Sequence, residues 1–224
     1  MSEPQVRRAT RDEIPELAAV LARAFARDPF FSYLTGDAPE RNMRMRLGWT
    51  GILRYASAGL RETWTTDDRA GVAIWIPPGR RASTMLESLR LTPAMLRLSG
   101  AGRIREVSAA IETLDRRRNL HAPMPHWYLS ALGVDPSRQG QGIGSALLES
   151  ILHRADGDAT PVYLETATAR NVLLYERYRF DVVEELILPR TDIRGWLMLR
   201  PPAPASAGAS DRATPGHPNP PGAG

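Results

Sequence analysis

The chain has 224 residues, 42% hydrophobic and 24% charged, which gives it material for a core and places it among globular proteins of one or two domains. The sequence has no cysteine, which excludes disulfides, thiolate metal sites and thiol nucleophiles. All 29 basic residues are arginine, with a net charge of +4, so Schiff-base lysines and the phosphate-loop lysine are excluded while acidic ligands remain acceptable.

The arginines are scattered rather than interleaved with aromatics, which argues against a nucleic-acid partner. No apolar run approaches the roughly 20 residues needed to cross a bilayer, so no membrane association is expected. Met1 to Arg8 has charges but no apolar stretch behind them; it reads as neither a secretory signal nor a transit peptide, and a cytoplasmic location is expected.

Val6 to Ala9 reads as a short strand. Thr10-Arg11-Asp12-Glu13 has the form of a capping box, with Asp12 as the rival cap, and the helix behind it shows Ile14, Leu17, Ala18, Leu21, Ala24 and Phe25 at helical spacing until Asp28-Pro29 stops it. Glu40 to Ser57 reads as a second helix. Arg61 to Thr66 and Val72 to Ile76 form a hairpin around a turn at residues 67–71. Residues 81–98 and 103–118 carry helical patterns ahead of a strand at Trp127 to Val134. There Arg116-Arg117-Arg118 reads as a solvated last turn that complements the helix dipole. A helix follows in which Ile143, Leu147, Leu148, Ile151 and Leu152 share a face, then a strand at Val162 to Thr166, a short helix at Asn171 to Tyr178, and strands at Val182 to Leu188 and Gly195 to Leu199. Residues 1–200 read as one mixed α/β domain, and Pro201 to Gly224, rich in Pro, Ala and Gly without large apolar side chains, as a disordered tail.

The chemistry concentrates after Val134. Glycines at 140, 142 and 144 lie between a strand end and a helix start, where backbone N–H groups can converge on an anion with help from the helix dipole. The spacing is not G-x-G-x-x-G, since Leu147 stands where the last glycine would be, so a dinucleotide fold is disfavoured. A plain tight turn is the competing reading.

Gln139-Gly140-Gln141-Gly142-Ile143-Gly144 resembles the acyl-CoA motif Q/R-x-x-G-x-G/A of the GNAT N-acetyltransferase superfamily. Behind it, Leu164-Glu165-Thr166 and the segment from Asn171 through Tyr175 to Phe180 resemble the family's N-x-x-x-x-Y-x-x-x-G-F block, with Arg179 standing where many members have glycine. The helical insertion before the fourth strand, Pro93 to Gly100 and the Trp127 strand look most like the puromycin N-acetyltransferase group. The resemblance implies a mixed, mostly antiparallel sheet flanked by helices. It also implies acetyl-CoA as co-substrate, held by the backbone of Leu132, Gly133 and Val134 along the pantetheine, by the amides of Gln139, Gly140, Gln141, Gly142, Ile143 and Gly144 at the pyrophosphate, and by Asn171.

On the same resemblance, Tyr175 is the general acid that protonates the departing thiolate, although its spacing alone equally fits a core aromatic. Glu165 is the candidate general base, with His126 behind it. Glu165 could instead hydrogen-bond backbone between the splayed strands, and His126 could simply begin a strand. Asp28 either lines an acceptor pocket or caps Pro29 to Leu34. Histidines 121, 126, 153 and 217 lack metal-ligand spacing, so no metal is expected. The implied activity is N-acetylation of a small-molecule amine, with a peptide acceptor or a non-catalytic acyl-CoA-binding module as alternatives.

Overall fold

A computed structural model describes residues 4–36, 39–57, 61–79 and 85–202. In chain order it contains β1 (Val6–Arg8), α1 (Ile14–Ala24), α2 (Pro29–Thr35), α3 (Arg41–Tyr55), β2 (Glu62–Thr66), β3 (Gly71–Ile76), α4 (Met85–Ser99), α5 (Ile104–His121), β4 (Trp127–Val134), α6 (Ile143–Gly157), β5 (Val162–Thr166), α7 (Ala169–Glu176), β6 (Asp181–Ile187) and β7 (Arg194–Arg200). The strands make a seven-stranded sheet in the order β1-β2-β3-β4-β5-β7-β6. Every neighbouring pair is antiparallel except β4 and β5, which run parallel.

The continuous apolar run of β3 reflects its place in the sheet. Every residue from Gly71 to Ile76 is buried, because helices cover both faces of the sheet there. Val72 and Ile74 join Leu17, Leu21, Trp49 and Leu53 of α1 and α3, while Ala73 and Trp75 meet the apolar stripe of α6, built from Ile143, Leu147, Leu148, Ile151 and Leu152. The inserted helices lie on the α1 side. α4 packs closely on α3, where a Cβ added at Gly51 would fall 2.7 Å from that of Ala94. α5 lays Leu114 and Ala122 over Tyr163 and Leu197.

A bulge interrupts the middle of the sheet. Ile74 opposes Ala131 while Trp75 opposes Leu129, so Ser130 is an extra residue in β4, and the strand bends there. Pairing between β4 and β5 stops at the same level, with Leu129 opposite Leu164 as its last pair. Beyond it β4 follows β3 to Val134 and β5 follows β7 to Thr166, so the two parallel strands diverge.

The structure corrects two local expectations. Thr10 and Glu13 do not form a capping box that closes on the helix. Thr10 donates its N–H and hydroxyl to the Glu13 carboxylate, which also takes Arg7 at 2.6 Å, and neither Thr10 nor Asp12 caps α1. Arg118 is not solvated. It is 5% exposed, with its guanidinium 4.4 Å from the centre of the Tyr128 ring. The expected tail from residue 203 onward lies outside the described residues.

Candidate active site

The divergence of β4 and β5 opens a cleft of about 1600 Å³. Leu132, Gly133 and Val134 line it along the free side of β4, Gln139, Gly140, Gly142, Ile143 and Gly144 line it at the turn into α6, and Asn171 and Tyr175 line it from α7. Nearly all the residues that sequence reasoning assigned to one ligand therefore meet in one place. Gln141 is turned aside, its side chain accepting from Arg138 Nε at 2.9 Å, and Arg138 in turn holds Asp68 at 2.8 Å.

The glycine turn is built for a backbone-only contact. Gly140 and Gly142 have φ of 77° and 80°, which a side chain disfavours, and a Cβ at either would meet nothing within 4 Å. Gly142 is the N-cap of α6 and brings no side chain to the first-turn N–H groups, so these are available, with the positive end of the helix dipole behind them. Such a turn suits a pyrophosphate. Gly142→Ala is expected to cost about 1 kcal/mol of stability through its φ, and to place a methyl over the anion site. A roughly tenfold loss of acetyl-CoA affinity by isothermal titration calorimetry, with an intact fold, checks this.

Gly133 serves a different purpose. A Cβ there would come within 2.9 Å of Leu21, 3.0 Å of Ala24 and 3.1 Å of Phe25, so its absence lets the end of α1 lie against the free part of β4. That contact brings the segment after α1, including Asp28, to the cleft.

Tyr175 is 6% exposed and meets Phe180 edge to face at 5.8 Å between ring centres. Burial, and secondarily the negative charge of Asp28, push its phenol above the ordinary tyrosine range, so it stays protonated. Asn171 faces the cleft while donating to Thr166 Oγ1 at 3.3 Å. Arg179 has φ of 65°, which explains why glycine suits this position and shows that arginine takes the same turn at some strain.

Neither base candidate lies among the residues that line the cleft. Ile76 opposes Tyr128 and Tyr128 opposes Tyr163, so Tyr163 and Glu165 project on the α1 side of the sheet, opposite α6. There Glu165 packs with Arg118 at 3.5 Å and with the phenols of Tyr128 and Tyr163. Burial pushes its carboxyl up to about 7, against the opposing pull of Arg118 and the Tyr128 hydroxyl. His126 stands 6.0 Å from the Tyr163 ring, with Nδ1 2.8 Å from the Met124 carbonyl and its pKa lowered by burial. The two candidates thus share one buried neighbourhood, organised by Arg118. Periodicity could not reveal this, because Arg118 reads like its solvent-facing neighbours.

Comparison with known proteins agrees with the geometry. A profile described as the acetyltransferase (GNAT) family matches residues 97–180. An uncharacterised N-acetyltransferase of Schizosaccharomyces pombe is 27% identical over 194 residues, which are 82% of this chain and 77% of the relative. A Corynebacterium glutamicum structure, described as histone acetyltransferase HPA2 and related acetyltransferase, is 25% identical with a TM-score of 0.67, covering 92% of this chain and 99% of its own. The chain has the fold of GNAT acetyltransferases, and that family's profile covers its residues 97–180.

Profile, relative and fold together support an acetyl-CoA-dependent N-acetyltransferase. Its fold is also that of the Drosophila melanogaster polyamine N-acetyltransferase, with a TM-score of 0.60 at 17% identity over 89% of this chain and all (100%) of the other. The GNAT co-substrate fits the residues present. It needs a strand with one unpaired side for the pantetheine amides and a turn of free N–H groups for the pyrophosphate, and β4 beyond Leu129 and the Gly140–Gly142 turn supply both.

Proposed function

We propose that this protein is a GNAT enzyme that acetylates the primary amine of a small molecule by direct attack within a ternary complex. In this reading the amine nitrogen attacks the thioester carbonyl, the C–N bond forms as the C–S bond breaks, Tyr175 gives its proton to the departing thiolate, and the proton the amine loses passes to solvent in the open cleft. Backbone in the Val134 region stabilises the intermediate oxyanion. With no cysteine in the chain, a thioester-linked acetyl-enzyme is excluded.

The observation that carries the reading is the cleft itself, with the uncapped glycine turn at one part of its wall and a protonated, buried phenol at another. Desolvation raises the proton affinity of a thiolate formed there, so a phenol with a raised pKa remains a competent donor. A small acceptor is favoured because α4 and α5 lie on the α1 side of the sheet, where a peptide would need an open groove.

Steady-state kinetics with a panel of alkylamines and peptides, read by CoA release, test the proposal. Intersecting double-reciprocal plots and turnover confined to small amines are expected. Because Glu165 lies outside the cleft, beside Arg118 and Tyr128, E165Q should leave the pH profile of kcat/KM unchanged. Parallel plots, or preference for a peptide, would refute the corresponding part.

A further inference from the structure

Two carboxylates line the cleft, Asp28 and Asp135. Asp135 is paired with Arg23 at 2.6 Å and accepts from Ser137. Asp28 makes no salt bridge among the described residues, although six arginines line the same cleft. Its Oδ1 caps α2 by accepting from the Phe31 N–H at 3.0 Å, which fixes the carboxylate in place without neutralising it. Phe25, stacked with Phe31 at 4.8 Å and Trp49 at 5.1 Å, also lines the cleft and provides an apolar wall near it.

We infer that Asp28 determines acceptor specificity by holding the cationic form of a primary alkylamine, seated against Phe25 and facing Tyr175 across the cleft. The inference rests on the acetyl-transfer reading proposed for this site and names the chemical class of its acceptor. A fixed anion with no protein cation, in a cleft otherwise rich in arginine, selects a positively charged ligand and penalises a neutral one. The carboxylate is already desolvated, and burial holds its pKa above the ordinary aspartate range, so an ammonium beside it reverses a cost the fold has taken on. The same charge opposes ionisation of Tyr175, and pairing with an ammonium relieves that opposition. The bound ammonium gives up one proton to solvent before the neutral nitrogen attacks, so Asp28 acts on acceptor binding and not on the acetyl-transfer step.

The experiment compares wild type, D28N and D28E at pH 7.5, with phenethylamine among a panel of alkylamines and aniline as the acceptor that carries no charge at that pH. Asn keeps an oxygen that can cap α2, so the fold should survive, and an unchanged thermal midpoint checks this. D28N is expected to raise KM at least tenfold for the alkylamines wild type acetylates, with kcat changed less than threefold and KM for acetyl-CoA unmoved. Inhibition or turnover by aniline should not change, and D28E should recover part of the alkylamine affinity. An unchanged alkylamine KM in a D28N enzyme that still turns over overturns the role of Asp28 alone. If wild type binds acetyl-CoA but acetylates no amine in the panel, the acetyl-transfer reading fails and this inference falls with it.

Discussion

Replacing Tyr175 with phenylalanine should lower kcat by about a hundredfold or more while leaving acetyl-CoA binding nearly unchanged. The ring makes the structural contacts. It packs in the cluster with Phe180, Leu164 and Val172, and phenylalanine preserves that packing, so the thermal midpoint should shift by little. The hydroxyl supplies the chemistry, and the chain contains no cysteine or lysine that could give a proton in its place. Rapid-quench measurement of the acetyl-transfer step separates this from slow product release. Wild-type turnover in the variant would remove Tyr175 from the mechanism. Because the phenol lies above the ordinary tyrosine range, wild-type activity should also show no loss from this group as pH rises to about 10.

How much of the molecule was readable in its sequence depended on whether the determinant was local. The strand-turn-helix at 127–157 was legible because the apolar stripe of α6, the glycines and the strand alternation are all short-range patterns, and the structure places Trp127–Val134 as expected. Tyr175 and Asn171 could be assigned only through the family block, since a tyrosine on an apolar helical stripe is ambiguous by itself. Arg118 and Glu165 lie 47 residues apart in sequence and meet because β5 pairs with β4 beneath α5; no spacing rule encodes that contact. Asp28 is an intermediate case. Asp-Pro announces a helix start, and Asp28 does cap α2, but its place in the cleft depends on Gly133 admitting the end of α1. The missing side chain of one strand thus positions the carboxylate of another element.

Arg118→Ala should destabilise the enzyme by about 3–5 kcal/mol, a fall in Tm of roughly 10 °C or more. Arg118 pairs with Asp115 and Glu165 and stacks on Tyr128, and all of these interactions are at most slightly exposed. Truncation leaves two carboxylates without their shared cation in a place water reaches poorly, which is the expensive way to lose a buried ion pair. The pH dependence comes from Glu165. Its folded pKa of about 7 lies above the unfolded value, so the folded state binds more protons between those two values and loses stability as pH rises through that window. Without Arg118 the carboxyl is pushed higher still, which widens the window and deepens the loss. The Tm gap between wild type and R118A should therefore be larger at pH 8 than at pH 5. Adding E165Q to R118A should recover part of the gap at pH 8, because the amide carries no charge to strand. A gap under about 2 °C, or one that does not change with pH, would mean that Arg118 holds the cluster by stacking on Tyr128 alone.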